Sequence, residues 1–109
     1  MQVQINTDHN IQHDEALDAW ITGVVESALA RSSDHITRVE VHLGDENGRK
    51  SGQYDKRCMM EARLEGRSPI AVTDHAVTLN QAVNGAVGKL GRMIESAVGR
   101  AAAFKASPN

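Results

Sequence analysis

Apolar and polar positions alternate in four stretches of this chain and recur at helical spacing in two others. Gln2–Asn6 sets Val3 and Ile5 on one side of a short strand, and polar residues 7–13 follow as a loop. From Asp14 the apolar pairs Ala16/Leu17, Trp20/Ile21, Val24/Val25 and Ala28/Leu29 recur every four residues, which places them along one helical stripe. Asp14 is the expected N-cap, Glu15 favours the first turn, and Ser32 and Ser33 end the helix. Ile36–Leu43 alternates again, with Val39, Val41 and Leu43 facing one way and Arg38, Glu40 and His42 the other. Residues 44–53 form a polar loop with Asn47-Gly48 as its turn.

Tyr54–Glu65 resumes the alternation with Cys58, Met60, Ala62 and Leu64 inward. After Gly66 and Arg67, Ser68–Thr73 turns Ile70 and Val72 inward, and Pro69 suits an edge or the first position of a strand. Thr78-Leu79-Asn80-Gln81 fits a capping box. Leu79, Val83, Ala86/Val87, Leu90, Ile94 and Ala97/Val98 then form an apolar stripe opposite Lys89, Arg92, Ser96 and Arg100. Gly85, Gly88, Gly91 and Gly99 each disfavour that helix by up to about 1 kcal/mol, so packing on the stripe has to hold it.

The predicted order is β-α-β-β-β-α, an α+β fold in two layers. A parallel pair joined through the first helix continues into an antiparallel meander. Both helices cover one face of the four-stranded mixed sheet, and the other face, with Arg38, Glu40, His42, Arg57, Glu61 and Arg63, is mixed in charge and solvated. At 109 residues, with 40% apolar and 24% charged residues, one domain over residues 1–105 is expected, with 106–109 as a frayed tail. No stretch is apolar enough to span a bilayer, and the opening residues do not resemble a secretory signal. The single cysteine, Cys58, fits a reducing compartment, so the expected location is cytoplasmic.

The net charge of −2 conceals an asymmetry. Residues 1–48 carry nine acidic side chains against Arg31 and Arg38, whereas residues 49–109 carry ten basic against five acidic. A basic half lets one face meet a polyanion. Lys89, Arg92 and Arg100 lead that half, with Lys56-Arg57 and Arg49-Lys50 behind them. Three aromatic residues, Trp20, Tyr54 and Phe104, are too few for a platform that stacks unpaired bases. Phosphate contacts to a folded RNA need no such platform.

Signals for catalysis are weak. His9 and His13 have a ligand spacing but straddle a loop and a helix start, and no third ligand fits. Cys58 faces inward as a small core residue. Asp45 and Glu46 lie in a loop with nothing to hold their geometry. Gly88-Lys89 lacks the other residues of a phosphate loop, and Gly88-Lys89-Leu90-Gly91 lies inside a helix rather than between two, as a KH clamp would. No enzyme activity, metal or cofactor is expected.

Beyond these patterns, the chain resembles the ribosome hibernation promoting factors (HPF/RaiA, the sigma-54 modulation proteins or ribosome-associated inhibitors), as a divergent short form. The resemblance rests on Met1-Gln2-Val3-Gln4-Ile5, Asp14-Glu15-Ala16-Leu17, Ile36-Thr37-Arg38-Val39-Glu40-Val41, the strand around Glu61-Ala62, and Gln81-Ala82-Val83-Asn84-Gly85-Ala86-Val87-Gly88-Lys89-Leu90-Gly91-Arg92. It implies a βαβββα domain that binds the small ribosomal subunit between head and body. There it would occupy the path of mRNA and tRNA and keep idle ribosomes inactive under stress. It also implies that the extra C-terminal domain of longer members is missing. Lys89 and Arg92 match the family's Lys-Leu-x-Arg pattern, Arg100 falls near a position that is often basic, and Arg31 matches a basic position closing the first helix. With Arg57 and Lys56, these are the expected RNA contacts. No membrane or DNA partner is expected, and the oligomeric state stays open.

The chain departs from relatives in exposing Glu15, Asp18 and Glu26 on the first helix and in its glycine-rich last helix. Fewer cations mean fewer displaced counterions and weaker binding. The alternative is a divergent protein-interaction domain whose acidic helix meets a basic partner.

Overall fold

The structure, a computed structural model, describes residues 1–46 and 55–106, with the backbone alone for residues 100–106. Its elements are β1 (Gln2–Thr7), α1 (Glu15–Ala28), a 3-10 helix (Ala30–His35), β2 (Ile36–Asp45), β3 (Lys56–Leu64), β4 (Ile70–Ala76) and α2 (Leu79–Ala106). The order is the predicted β-α-β-β-β-α, and the four strands form one sheet in sequence order. β1 runs parallel to β2, with Gln2 opposite Arg38 and Thr7 opposite Leu43. β3 is antiparallel to both β2 and β4, with Val41 opposite Met60 and Met60 opposite Val72.

The alternation in each strand sorts the two faces. Val39, Val41, Cys58, Met60 and Ala62 are fully buried and meet Ile21 and Val25 of α1 and Val83, Ala86, Leu90 and Ile94 of α2. Burying each of the large side chains favours folding by roughly 1.5–3 kcal/mol, enough to hold a helix with several glycines. Asp14 caps α1 by accepting from the Leu17 amide at 2.9 Å, as expected of an N-cap. At α2 the capping box forms: Gln81 N donates to Thr78 Oγ1 at 3.1 Å, and Thr78 N donates to Gln81 Oε1 at 3.3 Å.

Several boundaries differ from the sequence expectation. Ser32 and Ser33 fall inside the 3-10 turn rather than ending α1. β2 runs on to Asp45, two residues past Leu43. β4 starts at Ile70 and continues to Ala76, past the expected end at Thr73. That extension puts a charged residue, Asp74, at an inward position opposite Cys58, where alternation alone would end the strand. Gly66, at φ 71°, takes the left-handed conformation that the short β3–β4 turn requires. The expected turn Asn47-Gly48, the cations Arg49 and Lys50, and Tyr54 lie outside the described residues. The helical backbone of α2 reaches Ala106, the first residue of the expected tail, and the others, 107–109, lie outside as well.

Candidate nucleic-acid interface

α2 leaves β4 through the capped turn and crosses back over β4 and β3, which presents its outer face to solvent. Lys89 is half-exposed on that helix, yet its ammonium is engaged. Lys89 Nζ donates to Asp74 Oδ1 at 3.0 Å and to the Thr73 carbonyl at 3.1 Å. Asp74 reaches α2 because of Gly85. A Cβ at Gly85 would overlap the Asp74 carboxylate, so the glycine admits the acid that holds the lysine. The sequence shows the glycine only as a weak point in a helix, whereas the structure gives it a packing role.

Lys56 and Arg57 open β3, beside the end of β2. Lys56 Nζ lies 3.0 Å from Asp45 Oδ2 and 3.6 Å from Asp55 Oδ1, and both aspartates are buried. The hydrogen bond to Asp45 leads in holding the Lys56 ammonium above its ordinary pKa, ahead of the negative charges of Asp45 and Asp55, while desolvation opposes them. Asp45 is therefore not the loop carboxylate that the sequence suggests but the buried last residue of a strand. Arg57 lies on the open sheet face, its Nε 3.5 Å from Glu46 Oε1, which also lies 3.3 Å from His75 Nε2. Across that face Glu40 sits 2.9 Å from Arg38 and 3.5 Å from Arg63, and Glu61 sits 3.5 Å from Arg63. The sheet face is thus mixed in charge, as its alternation predicts.

Cys58, behind Arg57, is fully buried. Desolvation foremost, then the negative charge of Asp74, pushes its thiol up to about 12, against the opposing pull of Arg57. Such a thiol stays protonated and is a poor nucleophile at neutral pH. His13, considered as a ligand with His9, instead has Nε2 2.5 Å from Asp18 Oδ1 and Nδ1 3.3 Å from Thr7 Oγ1. Among the described residues no group of three or more His, Cys, Asp or Glu is arranged to hold a metal ion.

The remaining cations lie toward the second half of α2. Arg92 is exposed, makes no ion pair among the described residues, and lies back over Gly88. Arg31, in the 3-10 turn that packs against α2, has a side chain 90% exposed and only a long 3.9 Å approach to Glu95. Arg100 belongs to the helical backbone of α2, but its side chain lies outside the described residues. Arg67 was not singled out by sequence: its Nη1 donates to the Ala97 carbonyl at 3.1 Å and ties the β3–β4 turn to α2. Its position after a turn glycine marks a loop residue, and nothing in the sequence links it to a helix 30 residues away. The six expected contacts therefore divide. Lys89, Lys56 and Arg57 are held by carboxylates, whereas Arg31 and Arg92 are presented to solvent.

Two solved structures share this architecture. The Thermus thermophilus Protein Y N-terminal domain superposes with a TM-score of 0.72 at 18% identity, covering 88% of this chain and 98% of that one. A ribosomal subunit interface protein from Coxiella burnetii superposes with a TM-score of 0.69 at 17% identity, covering 91% of this chain and 99% of that one. At such identities the likeness is one of fold. No curated protein matches the chain in sequence. A family profile does, over residues 3–101, so nearly every element described above falls within it, and the chain belongs to the sigma 54 modulation protein / S30EA ribosomal protein family.

Proposed function

We propose that this protein is a ribosome-associated modulation factor of the hibernation type. It binds rRNA of the small subunit through positive side chains and keeps the ribosome idle by occupying the mRNA and tRNA path. The observation that carries this reading is the family match over residues 3–101, supported by a fold shared with a ribosomal subunit interface protein. Its site of action is the cytoplasm, and its action is binding rather than catalysis.

Arg92 and Arg31, with Arg100 further along α2, make the phosphate contacts. Arg92 and Arg31 are offered without first giving up a close carboxylate partner. Lys89, Lys56 and Arg57 would have to exchange Asp74, Asp45 and Glu46 for phosphate, and that exchange cancels much of the gain from each new contact. Occlusion is tested by filter binding of tRNA to small subunits carrying mRNA, with increasing amounts of this protein. Occupancy of the path predicts a fall in bound tRNA that excess tRNA reverses. Full tRNA binding beside bound protein would place it elsewhere on the subunit.

The carboxylate partners of Lys89, Lys56 and Arg57 favour one second reading, a protein-interaction domain that has kept the family fold without ribosome affinity. Under that reading the purified, folded protein fails to pellet with ribosomes even at low salt.

A further inference from the structure

The two edges of the sheet are finished differently. β4 begins just after Pro69 and carries Asp74 and His75, and its Thr73 carbonyl is taken by Lys89 Nζ at 3.1 Å. Prolines, charged side chains and covered backbone groups are the means by which an edge strand is kept from pairing. β1, the opposite edge, has none of these. Its sequence, Gln-Val-Gln-Ile-Asn-Thr, contains no charge and no proline.

In a parallel ladder alternate residues bond the neighbouring strand, and those between them point away. The Asp8 amide donates to the Leu43 carbonyl, which, with Thr7 opposite Leu43, sets Gln2, Gln4 and Asn6 as the residues that bond β2. Val3, Ile5 and Thr7 thus turn their N–H and C=O groups to the free edge. Among the described residues no turn, loop or cap hydrogen bond reaches them.

Beside this edge stands the flank of α1 turned away from α2. Trp20, Val24 and Ser27 lie toward α2, in a shallow groove shared with Val87. At about 100° per residue the opposite flank carries Asp18 and Thr22, with Glu15 and Glu26 next to them. The contact of His13 with both Thr7 and Asp18 ties this flank to the end of β1. The 14 residues of α1 span about 21 Å and the six of β1 about 20 Å, so the flank and the strand match in length. Neither element contains a lysine or arginine.

We propose that the free edge of β1 binds an extended, basic peptide segment as a fifth strand. The backbone of Val3, Ile5 and Thr7 supplies the ladder, the pairing mode by which sheet edges take up peptides. Lysine or arginine side chains on the helix side lay their stems across half-buried Val3 and Ile5 and reach the carboxylates of Asp18, Glu15 and Glu26. A second copy of β1 is disfavoured as the occupant, because antiparallel pairing of two copies would bring two acidic flanks together.

The test is an NMR titration of the labelled full chain with an eight-residue peptide of alternating threonine and lysine, beside its threonine–glutamate counterpart. The expected result is a set of shifts confined to β1 and the α1 flank, with slowed exchange of the Val3, Ile5 and Thr7 amides. Added salt weakens the response, and Glu15→Lys/Glu26→Lys weakens binding by roughly ten-fold. Both substituted positions are exposed, and the unchanged β4 spectrum reports an intact fold. No response at millimolar lysine peptide, an equal response to the glutamate peptide, or shifts centred on β4 would overturn the proposal. So would concentration-dependent shifts at β1 in the protein alone, which would make a second copy the occupant. The titration contains no ribosome, so its failure leaves the ribosome reading standing.

Discussion

Lys89 and Arg92, one turn apart on α2, are similar cations in opposite circumstances. Lys89 is turned back onto β4, bonded to Asp74 and to the Thr73 carbonyl, and the helix has Gly85 at the point of approach. Near the middle of the helix Arg92 lies open, and beyond it Arg31 projects from the 3-10 turn toward Glu95 while Arg67 holds the β3–β4 turn to the Ala97 carbonyl. A positive charge on a helix surface is therefore not by itself a phosphate site. What distinguishes the two positions is whether a carboxylate from a neighbouring strand has been admitted. A partly exposed pair of this kind is worth up to about 1 kcal/mol. Giving it up on binding would reduce an affinity by about five-fold.

The largest effect expected on the carboxylate-held side is at Lys56, whose ammonium lies between two buried aspartates. Lys56→Ala removes the cation hydrogen-bonded to buried Asp45 and should lower the urea midpoint more than removal of any other cation among the described residues. An unchanged midpoint would mean that these carboxylates need no counter-charge. Next is the alkaline behaviour of the same strand. Because the Cys58 thiol is raised from 9.0 to about 12, the folded state keeps a proton that the unfolded state releases between those values. Stability is then complete below pH 9 and falls as pH rises toward 12, by about 2 kcal/mol at pH 10.5. Cys58→Ala should remove this part of the loss in urea melts at pH 8 and 10.5, leaving the part due to Lys56 and other groups.

The Asp74–Gly85 contact sharpens the contrast within α2. Gly85→Ala in an Asp74→Ala background should stabilise by about 1 kcal/mol, the ordinary helix preference for alanine. In the wild-type background the same change displaces the Asp74 carboxylate and should lose most of that gain. Additive effects in chemical unfolding would show that the approach does not matter. Thr78→Ala, which removes the cap of α2, should cost about 1 kcal/mol. Arg31→Ala and Arg92→Ala should each change stability by no more than about 0.5 kcal/mol, since neither side chain is held.

Much of this architecture is legible in the sequence. Strict alternation in β2 and β3 assigns their faces, and the four-residue recurrence in α1 and the Thr78–Gln81 box identify both helices. What the sequence does not show is how side chains far apart along the chain meet. Lys89 and Asp74 are 15 residues apart, and Arg57 and Glu46 belong to different strand ends. Their pairing depends on strand register and on how closely a helix approaches a sheet, and a list of charges encodes neither. For the same reason β4 continues past its expected end: Asp74 breaks the inward apolar pattern, and Lys89 of α2 compensates it. Gly85 illustrates the limit, because helix propensity records its cost while the space it opens is visible only once Asp74 is in place.

That the solvent-presented Arg31 and Arg92, and not the tethered Lys89, contact rRNA is tested most directly by co-sedimentation with ribosomes. Wild type, Arg31→Glu/Arg92→Glu and Lys89→Ala would be compared at about 50 and 200 mM salt. The expected outcome is wild-type pelleting that fades with salt, loss of pelleting in the double arginine variant, and near wild-type pelleting for Lys89→Ala. Loss of binding in Lys89→Ala with retention in the arginine variant would contradict it.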